Sequence, residues 1–390
     1  MTVCELNFTC VQNLIDKKNS NNSSSLELSP SSNNIHNEIL SKVDLELLSR
    51  YRDNRSIPWN WIYIISMLYS VIFILGFMTN SIVASVVYHK LKKNIQSQNA
   101  PRYVFIIALA FADTLLCISL PFTAFDSFTK YWTLRQGVFG TLTCKLIKTV
   151  PTLTVFLSSF IVIVIALDRY RCIVQINKRK LNFKEANIIL FFILIISILV
   201  ASPLFIHTKV IVFYDTNVSS LSFCIEDWSS SSWDVIDVNA SDPQSRVWFS
   251  LICFVLQYVL PNLVIGISYY KMNRHINVTP FQQKPSHVTK RKHVSQMLFL
   301  MSINYCMGWF PINTCNLILD SYSSLFDLMS SDNQLLIFIL CHVVGVSTSV
   351  TNPLIYGYMN DNFRTEFTSF YKFVCFSCLS KPSDSAETVV

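Results

Sequence analysis

Residues 187–201 read NIILFFILIISILVA, and this stretch limits the kinds of fold that the chain can adopt. The stretch carries no charge and is apolar on every side of a helix, whereas a helix at the surface of a soluble protein keeps a polar stripe toward water. A helix with this pattern is typical of a segment that crosses a lipid bilayer.

Similar apolar runs lie on both sides of this stretch. A bilayer core about 30 Å thick needs roughly 20 helical residues, and each run reaches that length. The runs cover residues 61–88, 102–125, 141–172, 186–207, 247–270, 294–319 and 334–358. We therefore predict an all-α membrane protein whose residues 59–360 form a bundle of seven transmembrane helices. The composition agrees, because only 14% of the 390 residues are charged, compared with about 25% in soluble domains.

The two ends of the chain differ from this bundle. Residues 1–58 are rich in Asn and Ser and contain no apolar run, so we predict a disordered N-terminus. The first ten residues lack the basic and apolar regions of a cleavable signal peptide, which leaves the first helix as the targeting signal. After the last helix, residues 361–374 form a short amphipathic helix 8 in this prediction, and residues 375–390 form the tail.

The placement of charge predicts the orientation in the plasma membrane. The net charge of +7 would suit a nucleic-acid partner only if the basic residues shared one soluble surface. Instead, the side that holds the tail carries 19 Lys and Arg against six acids, a net charge of +13, and the other side carries 12 against 17, a net charge of −5. Asp113 lies within a helix and accounts for the remaining charge of −1. The positive-inside rule therefore predicts a cytoplasmic tail and an extracellular N-terminus, and no nucleic acid is needed.

Glycosylation motifs and cysteines follow the same division. Four Asn-X-Ser/Thr motifs fall on the predicted outer side, at Asn7, Asn22, Asn217 and Asn239. Cys144 and Cys224 also lie outside, where an oxidising compartment permits a disulfide and two free thiols are the alternative, and Cys4 with Cys10 is another candidate pair. On the inner side, Cys375 and Cys378 have no second Cys or His pair for zinc. Palmitoylation and an ordinary reduced pair are the remaining interpretations.

Polar residues at membrane depth are costly and mark functional sites. The helices contain Asn80, Asp113, the triplet Asp168-Arg169-Tyr170, the triplet Trp309-Phe310-Pro311 and the motif Asn352-Pro353-Leu354-Ile355-Tyr356. Each proline removes a backbone hydrogen bond and is expected to kink its helix.

The order of these motifs on seven helices resembles the rhodopsin-like (class A) G-protein-coupled receptors over about residues 61–378. The resemblance implies an activation switch and hinges at Asp168, Arg169, Tyr170, Tyr269, Trp309, Pro311, Asn352, Pro353 and Tyr356. It also implies a sodium pocket at Asp113 and Ser158, the disulfide Cys144–Cys224, and heterotrimeric G protein and arrestin as partners. The sequence departs from the family at Ile193, which replaces the usual helix-4 tryptophan, and at Arg291, where an acid of a helix 3–helix 6 lock is common.

The outer ends of the helices narrow the class of ligand. Residues 145–152, below Cys144, contain no acid, which argues against a small amine. The predicted outer face is acidic, and an acidic face attracts cationic ligands. We place Asp320 just outside helix 6 in this reading.

A closer resemblance is to receptors for neuropeptide Y and neuropeptide F. The segments that carry it are 165–174 (IALDRYRCIV), 201–204 (ASPL), 120–123 (LPFT) and 352–360 (NPLIYGYMN). It implies a C-terminally amidated neuropeptide ending in Arg-Phe or Arg-Tyr, coupling to Gi/o, and ligand contacts at Gln257, Asn316, Asp320 and His342. Pro151 stands where the family has a helix-3 glutamine.

Simpler roles remain open for three of these contacts. Asp320 would otherwise be an acid in water at a loop edge, His342 a packing histidine, and Gln257 an interhelical hydrogen-bonding group.

Three other functions are alternatives to a neuropeptide receptor. A class A receptor for an unrelated peptide is the first alternative. A transporter would show an internal repeat, and an enzyme would need a convergent catalytic set; the sequence contains neither. No cofactor is therefore required. The last residues, Thr388-Val389-Val390, resemble a ligand of PDZ domains.

Overall fold

The computed structural model describes residues 58–97, 100–129, 132–134, 137–175, 179–213, 221–228, 243–278, 285–321 and 331–359. Several predictions lie outside these ranges and stay predictions. They are the N-terminus, the four glycosylation motifs, the pair Cys4 and Cys10, helix 8, and Cys375 and Cys378.

The described residues form seven helical spans. Their bounds are α1 Trp59–Lys93, α2 Ala100–Phe128, α3 Val138–Val174, α4 Phe183–His207 and α6 Pro285–Ser321. Helix α5 begins as Pro243–Phe254, passes through a π-helical turn at Val255–Val259 and continues as Leu260–Val278. Helix α7 consists of Ser331–Val346 and Thr348–Met359.

Six of these spans are apolar and long enough to cross a membrane over the described residues: α1 to α5 and α7. The other, α6, carries Asn304, Asn313 and Asn316 within its apolar run, which lowers its mean hydropathy. It still exposes Phe299, Ile303, Met307 and Phe310 at helical spacing, a stripe that suits contact with lipid. The predicted seven-helix bundle is therefore confirmed.

Most helices extend beyond the apolar runs that predicted them. A helix continues past the bilayer when polar residues satisfy its ends. At the start of α4, Asn182 accepts from the Glu185 backbone N–H while Glu185 accepts from that of Asn182, which forms a capping box. At the end of α6 the same extension changes one prediction. Asp320 lies inside the last helical turn rather than beyond the helix.

The helices pack in a ring. Helix α1 packs on α2, α2 on α3, and α3 on α4 and α5, while α6 contacts α5 and α7, and α7 returns to α1. Helix α4 lies toward the outside and exposes Phe191, Phe192, Ile195 and Leu199. Exposed large apolar side chains in such numbers on a transmembrane helix suit contact with lipid.

A small sheet between α4 and α5 modifies the all-α prediction. Strands β1 (Thr208–Phe213) and β2 (Leu221–Glu226) form an antiparallel hairpin in which Val210 faces Cys224. This hairpin was not predicted from the sequence, because two runs of six residues give too short a pattern to separate a strand from a loop.

Candidate functional site

The β-hairpin is tied to the start of α3 by a disulfide. Cys144 on α3 and Cys224 on β2 are joined, with their Cα atoms 5.7 Å apart. Trp132 packs against this buried bridge, and its backbone N–H donates to the Ser222 carbonyl at 2.5 Å. The tether holds β2 across one end of the bundle, which we call the hairpin end.

A cavity of about 200 Å³ opens below the hairpin. Its walls come from helices α2 to α7 and from Glu226 of β2. The four side chains predicted to bind ligand, Gln257, Asn316, Asp320 and His342, all line this one cavity. The structure thus brings together residues from three helices that are far apart in sequence.

Asp320 is not a solvated acid. Its side chain is only 3% exposed, and its Oδ1 accepts from Nε of Arg246 at 2.9 Å. Its Oδ2 accepts from the Ser250 hydroxyl. Arg246 was not among the predicted site residues, although an arginine at the start of an apolar run was a usable signal.

Asn316 and Gln257 supply uncharged polar groups. The side-chain oxygen of Asn316 is buried and has no hydrogen-bond partner among the described residues, so it is available to a donor in the cavity. Gln257 is buried on the π-helical turn of α5. A π-helical turn adds a residue to the helix and is common at functional sites.

His342 is already engaged by a neighbour. Its Nδ1 lies 2.8 Å from the Tyr69 hydroxyl of α1, and its ring stacks on Phe338. These contacts fix the ring orientation in the cavity wall, so His342 has a packing role whatever it does with a ligand.

A second ion pair, which the sequence analysis also missed, lines the cavity between α2 and α3. Lys148 donates to Asp126, and the lysine is buried. Pro151 lies one turn further along α3 in the same wall, so that wall offers no amide at this position.

Below the cavity, α6 carries the predicted hinge Trp309 and Pro311. Trp309 lines the cavity floor and packs near Tyr305, whose hydroxyl contacts Ser159 of α3 and the Gln257 carbonyl of α5. A polar contact therefore joins three helices directly beneath the cavity.

The predicted sodium pocket lies deeper in the bundle. Asp113 accepts from the Ser158 hydroxyl at 2.7 Å, and its other oxygen is buried without a hydrogen-bond partner among the described residues. A cavity of about 30 Å³ beside it is lined by Asn80, Asn352, Pro353 and Tyr356 among others. Within the described ranges, no group of three or more His, Cys, Asp and Glu side chains is placed to hold a metal ion.

At the opposite end of the bundle, Arg169 is buried and paired with its neighbour. Its Nη2 lies 3.2 Å from Oδ2 of Asp168, and Tyr170 faces Nζ of Lys271 at 5.9 Å from the ring centroid. Tyr269 stacks on Phe299 of α6.

Arg291 belongs to α6, but its side chain lies outside the described part. Ile193 of α4 is buried in the core of the bundle.

Comparison with known proteins identifies this arrangement. Residues 79–356 match the family described as "7 transmembrane receptor (rhodopsin family)". The chain belongs to this family. It is therefore a multi-pass membrane receptor of the class A G-protein-coupled type, and the family is one of receptors rather than enzymes.

Several similar receptors bear the name of a neuropeptide. The Neuropeptide F receptor of Drosophila melanogaster is 29% identical over 343 residues, which cover 83% of this chain and 66% of that receptor. Neuropeptide receptor 3 of Caenorhabditis elegans is 31% identical over 322 residues, 79% of this chain and 78% of that one. Neuropeptide Y receptor type 2 of Homo sapiens is 28% identical over 314 residues, 79% and 76% of the two chains. The chain thus spans just under two thirds of the Drosophila receptor. The resemblance to neuropeptide Y and F receptors is confirmed.

The two ends of this receptor differ in their chemistry. The hairpin end provides a cavity with charged, amide and imidazole groups, which suits a polar ligand rather than an apolar one. The opposite end holds Arg169 in an ion pair whose release would expose a buried cation. Helices α3, α5 and α6 run from one end to the other and meet at Tyr305.

Proposed function

We propose that this receptor binds a C-terminally amidated neuropeptide, ending in Arg-Phe or Arg-Tyr, and activates heterotrimeric G proteins of the Gi/o class. The observation that carries the proposal is the convergence of Gln257, Asn316, Asp320 and His342 on one cavity. An arginine guanidinium pairs with a carboxylate such as Asp320 by charge-assisted hydrogen bonds. The names of the relatives supply the peptide class.

The size of the cavity supports recognition of a peptide terminus. Pockets that enclose a drug-sized ligand measure about 300–1,000 Å³, whereas this one measures about 200 Å³. It therefore suits the last one or two residues of a peptide, with the rest of the peptide lying across the hairpin end. The unpartnered Asn316 oxygen would accept from the terminal amide or the guanidinium.

The proposed orientation places the hairpin end outside the cell. The charge asymmetry supports it, and so does the disulfide Cys144–Cys224, since disulfides persist in oxidising compartments. The opposite end, with Asp168 and Arg169, would then face the G protein. Arrestin would bind the same end after activation, and Thr388-Val389-Val390 would offer a PDZ ligand.

We further propose that a sodium ion binds beside Asp113 as an allosteric ligand. The residues suit such an ion, because one buried oxygen of Asp113 lacks a hydrogen-bond partner and the Ser158 hydroxyl adjoins the other. The carboxylate and the hydroxyl would hold the ion. Hard cations prefer oxygen ligands of this kind.

A receptor for an unrelated peptide is the second candidate. Pro151 favours it, because the α3 wall lacks an amide where the neuropeptide Y family has glutamine. Membership in the rhodopsin family excludes the transporter alternative.

The proposal is tested by screening amidated peptides on cells that express the receptor, with Gi/o, Gs and Gq readouts in parallel. We expect peptides ending in Arg-Phe-amide or Arg-Tyr-amide to activate Gi/o, and their free-acid forms to be much weaker. Activation only by peptides without a C-terminal arginine would support the second candidate instead.

The Asp320→Ala variant tests the ligand contact. Truncating one partner of a buried charge pair costs about 2–5 kcal/mol, so the affinity for the activating peptide should fall at least tenfold. Asp227→Ala is the matched control, because Asp227 also lies at the hairpin end but pairs with Lys209 outside the cavity. Radioligand binding with equal surface expression measures both. Equal affinity in Asp320→Ala and the wild type would rule out the contact.

A further inference from the structure

The carboxylate of Asp320 is fully used by the chain itself. Arg246 of α5 donates to one oxygen and Ser250, one turn later on α5, donates to the other. The carboxylate is therefore bound on both sides by a single helix, and a peptide arginine would require the same oxygens.

Burial makes these contacts exclusive. A carboxylate in water accepts several donors at once, but the Asp320 side chain is only 3% exposed and that of Arg246 17% exposed. A ligand guanidinium has the same shape and charge as the one already there. It reaches Asp320 only after Arg246 has moved away.

Arg246 has a second acid close at hand. Its Nη2 lies 3.8 Å from Oε2 of Glu226 on β2, and the Glu226 side chain is itself only 7% exposed. A cation that leaves its partner in a buried site is strongly destabilised unless another acid takes over. Glu226 provides that acid, so displacement of Arg246 from Asp320 does not leave it unpaired.

The charge balance of the cavity agrees with such an exchange. Among the described residues that line the cavity, the charged side chains are Asp126, Lys148, Glu226, Arg246 and Asp320, which carry a net charge of −1. Lys148 is matched by Asp126, and Arg246 alone faces both Asp320 and Glu226. One additional guanidinium brings the cavity to neutrality, with one cation for each acid.

We propose that Arg246 sets the affinity of this site as a built-in competitor of the ligand: it occupies Asp320 in the resting cavity and transfers to Glu226 when a peptide arginine takes its place. This inference rests on the proposed function, in that the ligand carries an arginine. The free energy of ligand binding then depends on the difference between the new pair, ligand arginine with Asp320, and the internal pair, Arg246 with Asp320. A ligand without a guanidinium does not displace Arg246 from Asp320, so its affinity depends little on this exchange.

The test is the Arg246→Gln variant, assayed with an amidated peptide ending in Arg-Phe or Arg-Tyr and with the same peptide carrying citrulline in place of arginine. Citrulline keeps the shape but not the charge of arginine. Removing the competitor should raise the affinity for the arginine peptide by about tenfold, since a ligand no longer has to displace an occupied state. The citrulline peptide should gain less than about threefold, because it cannot neutralise Asp320.

Lys209→Gln is the matched control. It removes one positive charge from the same end of the receptor and one ion-pair partner of Asp227, which does not line the cavity. An equal gain in affinity in Lys209→Gln and Arg246→Gln would show that overall charge, rather than competition for Asp320, is responsible, and would overturn the proposal. A loss of affinity in Arg246→Gln would overturn it as well, because Arg246 would then be a ligand contact.

Ser250→Ala provides a second variant in case Arg246→Gln does not reach the cell surface. It removes one hydrogen bond to Asp320 and leaves the ion pair in place, so we expect a gain of about threefold for the arginine peptide; an unchanged or lower affinity would count against the proposal. Both variants are also run through the peptide screen. If neither the wild type nor the two variants respond to any amidated peptide ending in Arg-Phe or Arg-Tyr, both proposals fail. If the wild type responds and the variants gain nothing, only the competitor role fails.

Discussion

Tyr305 places a hydroxyl in the apolar core of the bundle, where each hydrogen bond matters. Its oxygen contacts the Ser159 hydroxyl and the Gln257 carbonyl, and Ser159 also contacts the Val155 carbonyl at 2.8 Å. The hydroxyls of Tyr305 and Ser159 have two protons for these three contacts. Only two of the contacts can therefore be hydrogen bonds at any one time. The Gln257 carbonyl belongs to the π-helical turn, which leaves it open to a side-chain donor.

The Tyr305→Phe variant should destabilise the receptor by about 1–3 kcal/mol, since a buried carbonyl and a buried serine lose a partner. Thermal unfolding in detergent measures the change. Tyr258→Phe is the control, because within the described residues the hydroxyl of Tyr258 has the Cys306 sulfur, a weaker hydrogen-bonding partner, at 3.3 Å. Equal losses in the two variants would contradict a structural role for the Tyr305 hydroxyl.

Helices α6 and α7 approach each other closely where α6 carries a glycine. A Cβ atom added at Gly308 would meet the Thr348 methyl group, just after the break in α7 at Ser347. Thr348 has little freedom to turn away, because it is branched at Cβ and its hydroxyl donates to the Gly345 carbonyl at 2.7 Å. Small residues at such contacts let transmembrane helices pack tightly.

The Gly308→Ala variant should therefore lose about 1–3 kcal/mol through overpacking. Gly266→Ala on α5 is the matched control, since nothing lies within 4 Å of an added Cβ there. Alanine in a helix interior is favoured over glycine by about 0.5–1 kcal/mol, so the control should be slightly stabilised. Thermal unfolding measures both, and a stabilised Gly308→Ala would show that the helices can separate without cost.

On the scale of the whole receptor, buried polar groups near Asp113 join α1, α6 and α7 between the two ends of the bundle. Asn80 donates to the Ser349 carbonyl of α7 at 2.8 Å, and Asn304 of α6 donates to Asn352 at 3.0 Å. Asn352 lines the small cavity beside Asp113. An ion in that cavity would favour one arrangement of α2, α6 and α7, and would change agonist affinity at the hairpin end by linkage.

We expect sodium to lower the affinity of the activating peptide several-fold in the wild type, and Asp113→Asn to abolish the effect. The measurement is agonist binding in sodium chloride against N-methylglucamine chloride at equal ionic strength, which holds charge screening constant. Asp227→Asn, which changes an acid at the hairpin end, should keep the sodium effect. A sodium effect that persists in Asp113→Asn would exclude the proposed site.

Local patterns predicted a large part of this receptor. The seven spans follow from runs of apolar residues, because the thickness of the bilayer sets a length that sequence can be measured against. The motif residues Asp168, Arg169, Asn352 and Pro353 lie at fixed positions along their helices, so their order identified the family. The predicted helix ends were less accurate, because hydropathy reports only where a helix meets the membrane boundary. Capping groups decide where α4 begins, and further helical turns beyond the apolar run decide where α6 ends.

The sequence by itself determined the number of helices, the family and the set of polar residues at membrane depth, because each of these depends on neighbours within a few turns. Only the tertiary structure decided what those residues contact. Asp320 and Arg246 are 74 residues apart, and their pairing depends on how α5 and α6 face each other across the cavity. Helical periodicity gives the face of each residue on its own helix but not the partner helix opposite it. The charge available to a ligand is therefore a property of the packed bundle.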